Sequence, residues 1–191
     1  PLPLRSECSG QALPGIDIEV RDPETGETLA HGEPGEIVAR GRGVFRGYYN
    51  DPEKTAAAFW DDGWFRTGDL GVLDAEGRVT FRGRLKDMLK VGGENVAAVE
   101  IEGYLALHPA VKLAQVVGLP NEKYGEVPVA FIELVADATT TEAEMIDFCR
   151  GEIASFKVPR HVRFVEDWPM GATKILKSAL RERILAEIAT A

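Results

Sequence analysis

The chain has 191 residues, 45% of them hydrophobic, which suits one large domain or two small ones with a packed core. Its formal net charge of −9, from 22 basic against 31 acidic residues, argues against nonspecific binding to nucleic acid or to an anionic membrane surface, since both require a basic face. The cysteines, Cys8 and Cys149, are too few and too far apart for a disulfide framework or a zinc site, and the histidines do not cluster with them, so a reducing cytoplasm fits.

Residues 1–7 lack a basic segment followed by an apolar run, and nowhere is an apolar stretch long enough to span a bilayer. The first residue is Pro1 rather than methionine, which leads us to expect a chain cut from a longer polypeptide.

In chain order, Ile16, Ile18 and Val20 alternate with Asp17, Glu19 and Arg21, the pattern of a half-buried strand, and residues 22–26 carry turn chemistry. Residues 36–40 read as the next strand. A glycine-punctuated loop over 41–47 superficially suggests a dinucleotide loop, but no βαβ unit with a downstream acid accompanies it. Pro52 opens a helix running through Phe59. Residues 72–74 and 79–81 flank a glycine-containing tip and predict a hairpin. The first 82 residues are therefore expected to be rich in β-structure.

The segment from Gly83 to Val96 reads as a hinge: a charged stretch, a short apolar stretch, the pair Gly92-Gly93 and a helix start. Ala97, Ile101, Tyr104 and Leu105 then recur at helical spacing over 97–107 until His108-Pro109. Residues 113–117 and 127–132 read as strands. The second is apolar on both faces and so central, with Pro128 tolerable only near its beginning. Thr141 and Glu144 form a capping box, and Met145, Ile146, Cys149 and Ile153 give the apolar face of the helix it starts. Residues 156–160 break that helix, 162–165 form a last strand, and a final amphipathic helix carries Leu180, Ile184, Leu185 and Ile188. The fold class is thus α+β: a β-rich first unit over 1–85 and a small α+β unit over 86–191.

Several residues could carry chemistry. Asp69, in Thr67-Gly68-Asp69, lies in a polar turn before a strand, where its carboxylate can accept both hydrogen bonds of a vicinal diol such as ribose, or cap its own backbone. Arg84 and Lys86 could add a charge-assisted contact to ribose or phosphate, or form a solvated strand edge. Gly92 and Gly93 either let a narrow ligand pass close to backbone or simply bend the chain. Lys174, on a glycine-bounded loop between a strand and a helix, is a mobile point charge suited to phosphoryl and carboxylate oxygens, although Lys177 lies near enough to compete.

Taken together and in order, Gly47-Tyr48-Tyr49-Asn50 with Thr55, residues 65–71, Gly83 to Asp87 with Gly92 to Asn95, His108-Pro109, Gly125-Glu126, residues 156–159 and Lys174 to Lys177 resemble the carboxy-terminal third of the adenylate-forming, AMP-binding superfamily, in particular its acyl-CoA synthetases. The resemblance covers essentially the whole chain. It implies the incomplete terminal β subdomain of a large adenylation domain over 1–85 and the mobile small domain over 86–191. It also implies an acid–thiol ligase joining a fatty or aryl carboxylic acid to AMP with ATP and magnesium, then passing the acyl group to CoA.

By the same resemblance Asp69 would bind the ribose hydroxyls, Arg84 ribose or phosphate, and Lys86 would be the pivot. Lys174 would be the catalytic lysine of adenylation. Gly92, Gly93 and Glu94 would line the pantetheine tunnel, with Tyr124 beside it and Phe156 and Arg160 holding the CoA nucleotide. Two departures stand out: residues 172–174 read Ala-Thr-Lys where the family has Thr-Gly-Lys, and no glycine/serine/threonine-rich phosphate loop or acyl pocket is present. The magnesium ligands and the acyl pocket are then expected in a preceding domain acting in cis, and this chain alone is expected to be inactive. The alternatives are an adenylation protein that loads a carrier-protein phosphopantetheine, and a non-catalytic binding module.

Overall fold

The computed structural model describes residues 8–189, so the reading of residues 1–7 lies outside the described residues. The chain divides into two compact units, Pro1–Lys86 and Asp87–Ala191. The division falls inside a short 3-10 turn, Leu85–Asp87.

The first unit is built on a five-stranded antiparallel sheet in the order β1 (Gly10–Gln11), β5 (Arg78–Arg84), β4 (Phe65–Leu73), β3 (Pro34–Gly41), β2 (Ile16–Arg21). The β4–β5 hairpin forms where the sequence predicts it: Asp74 accepts the backbone N–H of Glu76 and of Arg78, and Gly77 takes φ 74° at the tip. Helix α1 (Pro52–Ala57) is shorter than expected, ending before Phe59. Asp51 caps it by accepting the Lys54 N–H at 2.9 Å, and Pro52 fills the first turn, where its missing donor is harmless. Thr55 accepts the Tyr48 N–H and donates to the Asp51 carbonyl, and a Cβ on Gly47 would lie 2.6 Å from the Thr55 methyl. The Gly47 to Thr55 motif is therefore one locally bonded loop.

The second unit corrects the reading of the hinge. Instead of a short apolar stretch, a glycine pair and a helix start, Met88–Val91 (β6) and Glu94–Ala97 (β7) form a hairpin closed by Gly92-Gly93, whose φ values of 63° and 91° suit a two-residue turn. Helix α2 (Ala98–Leu105) follows directly. Strands β8 (Val111–Asn121), β9 (Gly125–Leu134) and β10 (His161–Phe164) complete a five-stranded mixed sheet. Strand β9 is central: β8 lies antiparallel along it, while β6 at Gly125 and parallel β10 from Val129 also pair with it.

Pro128, fourth in β9, is deeper in the strand than expected. Its carbonyl accepts the Arg160 N–H at 2.8 Å, and a strand residue's nitrogen and carbonyl point to the same side. The missing donor thus faces the gap between β6 and β10 rather than the β8 ladder.

Alternate residues of β8 and β9 feed two cores. Ala114, Val116, Ala130 and Ile132 pack with Ile101 and Leu105 of α2 and with Met145 and Cys149 of α3 (Glu142–Cys149). Val117, Leu119, Val127, Val129 and Phe131 pack with Leu180 and Ile184 of α4 (Lys177–Ala189). The capping box forms as expected, Thr141 and Glu144 each accepting the other's backbone N–H. Two expectations fail. Helix α3 stops at Cys149, so Ile153 reaches the core from the following turn instead of from the helix. In α4, Leu185 and Ile188 stay 41% and 42% exposed, because only the Leu180–Ile184 edge meets the sheet.

Candidate functional site

In the first unit, Thr67-Gly68-Asp69 lies not in a turn before a strand but inside β4, as a bulge. The register on β3 shifts between Glu36 and Val38, that on β5 shifts between Leu70 and Gly71, and Gly68 takes φ 70°. Its anchor is Glu36, 1% exposed, which the sequence did not single out. One Glu36 oxygen accepts the Gly68 N–H at 3.0 Å and the other the Arg66 Nε–H at 3.2 Å, while the Thr67 hydroxyl donates to the Ile37 carbonyl at 2.6 Å. The bulge is therefore held on three sides, and Asp69 leaves it opposite Arg84 of the neighbouring strand.

Arg84 Nε stands 3.1 Å from Asp69 Oδ1, an ion-pair distance without hydrogen-bond alignment; that oxygen is buried and, among the described residues, receives no hydrogen bond. The Asp69 carboxylate does not cap its own backbone: the Asp69 N–H goes to the Thr67 hydroxyl. Asp69 and Arg84 thus form a carboxylate and guanidinium on adjacent strands, the second half exposed. Lys86 is exposed in the 3-10 turn.

In the second unit, the residues expected around CoA meet at one end of the sheet. A shallow cavity of about 120 Å³ opens over the Pro128 gap, lined by Val91, Tyr124, Pro128, Ser155, Phe156 and Arg160 among others. Its volume is close to the ~150 Å³ that accommodates a benzene ring. The Arg160 guanidinium lies 5.6 Å from the centre of the Tyr124 ring. The hairpin turn adjoins this cavity, since the Gly92 N–H donates to the Tyr124 carbonyl at 2.7 Å and a Cβ on Gly92 would lie 3.7 Å from the Tyr124 ring. Gly93 and Glu94 are exposed at the same turn. A ring and a cation at the cavity, beside an exposed glycine turn, can take an aromatic base with its phosphates and pass a narrow chain.

The two competing lysines are separated by their surroundings. Lys177 ion-pairs with Glu102 at 2.6 Å, with side chains only 22% and 14% exposed. Lys174 is exposed, and among the described residues its ammonium makes no ion pair. It sits in a closed loop in which the Gly171 N–H donates to the Lys174 carbonyl and the Leu176 N–H to the Pro169 carbonyl. Among the described residues no group of three His, Cys, Asp or Glu side chains could hold a metal, and no helix is long and apolar enough to cross a membrane.

The sequence matches the family model of the AMP-binding enzyme C-terminal domain over residues 100–174 and that of the AMP-binding enzyme over residues 2–49. It is 44% identical over 182 residues to a putative acyl-CoA synthetase, YngI, of Bacillus subtilis, covering 95% of this chain and 33% of that protein. It is 41% identical over 176 residues to the mitochondrial medium-chain acyl-CoA ligase ACSF2 of Rattus norvegicus, covering 92% and 29%. Among solved structures, ATP-bound MatB from Rhodopseudomonas palustris is similar with a TM-score of 0.86 and 42% identity, over 93% of this chain and 35% of that one. The chain thus spans about a third of the length of the curated relatives it matches. On this evidence the chain belongs to the adenylate-forming, AMP-binding superfamily.

Proposed function

We propose that this chain is the carboxy-terminal portion of an ATP-dependent acyl-CoA synthetase, with residues 1–85 ending its large adenylation domain and 86–191 forming its small domain. The observation that carries the reading is the gathering of Tyr124, Phe156 and Arg160 at one cavity, with Gly92 against Tyr124 beside it. The acid would be a fatty acid, as the name of the medium-chain relative suggests. Its pocket and the phosphate loop would belong to the preceding domain in cis, so the chain alone would be inactive. Neither Cys8 nor Cys149 forms a disulfide among the described residues, which accords with a reducing, cytoplasmic setting.

In adenylation, the buried Asp69 oxygen would accept a ribose hydroxyl and Arg84 would add a charged donor to ribose or phosphate. Lys174, exposed and without an ion pair among the described residues, would meet the negative charge shared by the α-phosphate and the attacking carboxylate. Magnesium would enter with ATP, and the described residues provide no site that fits it. A change of backbone torsions at Lys86 would then present Gly92, Gly93 and Glu94 to the pantetheine arm, while Tyr124, Phe156 and Arg160 take the nucleotide end of CoA.

The test is made in the full-length enzyme. Lys174→Ala should abolish acid-dependent pyrophosphate exchange yet spare conversion of supplied acyl-adenylate to thioester, and equal loss of both would remove the assigned role. Lys86→Pro should mainly slow the second step, because proline fixes φ at the pivot. Arg160→Ala should raise KM for CoA about tenfold or more and leave KM for pantetheine unchanged, one lost charged contact being worth ~1.5–3 kcal/mol. No consumption of free CoA would instead favour delivery to a carrier-protein phosphopantetheine. CoA binding by a protein without pyrophosphate exchange would favour a binding module.

A further inference from the structure

One face of α4 carries two cations, Lys177 and Arg181, four residues apart and flanking the buried Leu180. Each bonds a carboxylate that also accepts a strand N–H. Lys177 Nζ donates to Glu102 Oε1 at 2.6 Å, and the same oxygen accepts the Val116 N–H at 2.8 Å. Among the described residues strand β8 pairs only with β9, so Glu102 of α2 caps its outer edge and clips α4 there. Arg181 Nη2 donates to Glu126 Oε1 at 2.8 Å, and Glu126 Oε2 accepts the Lys90 N–H at 3.0 Å. Strand β6 meets β9 through the single pair Val91 and Gly125, so this carboxylate supplies a second tie between them.

Helix stability does not account for these pairs. Lys177 is the first residue of α4, where the helix dipole disfavours a cation. A Cβ on Gly118 would lie 2.8 Å from the Glu126 carboxylate, so the strand is left bare where that side chain lies over it.

What the two clamps hold differs. Lys177 stands at the base of the loop closed by the Met170–Ile175 bridge, three residues from Lys174. Lys90 lies in β6, two residues before Gly92. We propose that Glu102 and Glu126 are positioning residues for separate half-reactions, Glu102 fixing through Lys177 the loop that presents Lys174 for adenylation, and Glu126 fixing the Gly92-Gly93 turn for thioester formation. The inference rests on the function proposed above.

Glu102→Gln and Glu126→Gln keep an acceptor for the strand N–H but remove the charge, and each is compared with the unaltered full-length enzyme in both half-reactions. Glu102→Gln should lower acid-dependent pyrophosphate exchange about ten- to a hundredfold, the range for a catalytic group displaced by about 1 Å, and leave thioester formation from supplied acyl-adenylate within about twofold of it. Glu126→Gln should give the opposite split. In a Lys174→Ala background, where thioester formation can still be read, adding Glu102→Gln should leave that step within about twofold, which a general loss of stability would not reproduce. Glu102→Asp, which keeps a carboxylate opposite Lys177, should retain more of the exchange rate than Glu102→Gln.

If either variant lowers both half-reactions equally, or neither changes either one, the proposal is overturned. If Lys174→Ala itself keeps normal exchange, the reading of Lys174 fails first. If Lys174→Ala loses exchange while Glu102→Gln keeps it, only the clamp fails.

Discussion

Glu36 is the residue on which the geometry of the first unit most directly depends, and Glu36→Ala measures that dependence. The carboxylate is 2% exposed and serves two donors, the Gly68 N–H and Arg66 Nε. Removing it strands the Gly68 amide, a loss of ~1–3 kcal/mol for a buried donor without a partner. Arg66 suffers less, because its side chain is 33% exposed and keeps both the Pro23 carbonyl and the Trp60 ring, so its share is ~0–1 kcal/mol. The sum, ~1–4 kcal/mol, reaches only the lower part of the ~3–5 kcal/mol typical of breaking a fully buried pair. Glu36→Gln retains an acceptor for Gly68 and should cost ~1 kcal/mol. Urea unfolding gives the totals, and amide exchange at Gly68 localises them: protection there should collapse in the alanine variant and persist in the glutamine variant. Unaltered Gly68 protection in Glu36→Ala would refute the view that this carboxylate holds the bulge, and so the placement of Asp69. If glutamine is as damaging as alanine, the charge on Arg66 rather than the bulge is what Glu36 serves.

Other outcomes follow from the second unit. Thr141→Ala should destabilise it by ~1 kcal/mol through loss of the α3 cap. Glu144, held below its ordinary value of 4.5 first by the Thr141 backbone N–H, adds stability that is full above that pH and is lost as pH falls through its lowered folded value; in Glu144→Gln this acid slope should disappear. Burial raises the Cys149 thiol from 9.0 to about 11, so unfolded chains release that proton first and stability should fall by ~1.4 kcal/mol per unit as pH rises from about 9 towards about 11, a slope absent in Cys149→Ala. Gly93→Ala meets no atom within 4 Å and should cost only the ~1–2 kcal/mol of an alanine at φ 91°; in the full-length enzyme a hundredfold loss of thioester formation would then report backbone close to the thiol arm, whereas loss in step with stability would make the glycine merely a bend.

The elements legible in the sequence are those whose signal is local. Ile16, Ile18 and Val20 alternate over six residues, Thr141 and Glu144 bond three apart, and β9 announces its central place by being apolar on both faces. The β6–β7 hairpin was missed because strands of four residues are too short to display a period, and a glycine pair between them also suits a linker. Pro128 misleads for a different reason. Proline excludes a ladder bond only on the side its nitrogen faces, and which side that is depends on strands distant in sequence.

The site divides along the same line. Asp69, Arg84, Gly92 and Lys174 stand out by type and neighbours, whereas the groups that position them do not. Glu36 reaches Gly68 across 32 residues, Glu126 reaches Arg181 across 55, and Glu102 reaches Lys177 across 75. Glu36 and Glu102 are each one glutamate among many until the fold supplies a partner, and Glu126, although it falls in a motif of the resemblance, shows no partner in the sequence. The order of these contacts bears on how one segment could serve two steps. Arg84 closes β5 of the first unit and faces Asp69, Lys86 lies in the turn where the units divide, and Gly92 begins the hairpin turn of the second. Between Lys86 and Gly92 stands β6, tied to β9 at Gly125 and to Glu126 through the Lys90 N–H. A torsional change at Lys86 would therefore move the hairpin and the cavity beside Tyr124 as one piece with the second unit. Under the proposed function, Met88–Val91 would pass motion rigidly to Gly92, with the torsional change confined to the turn at residues 85–87.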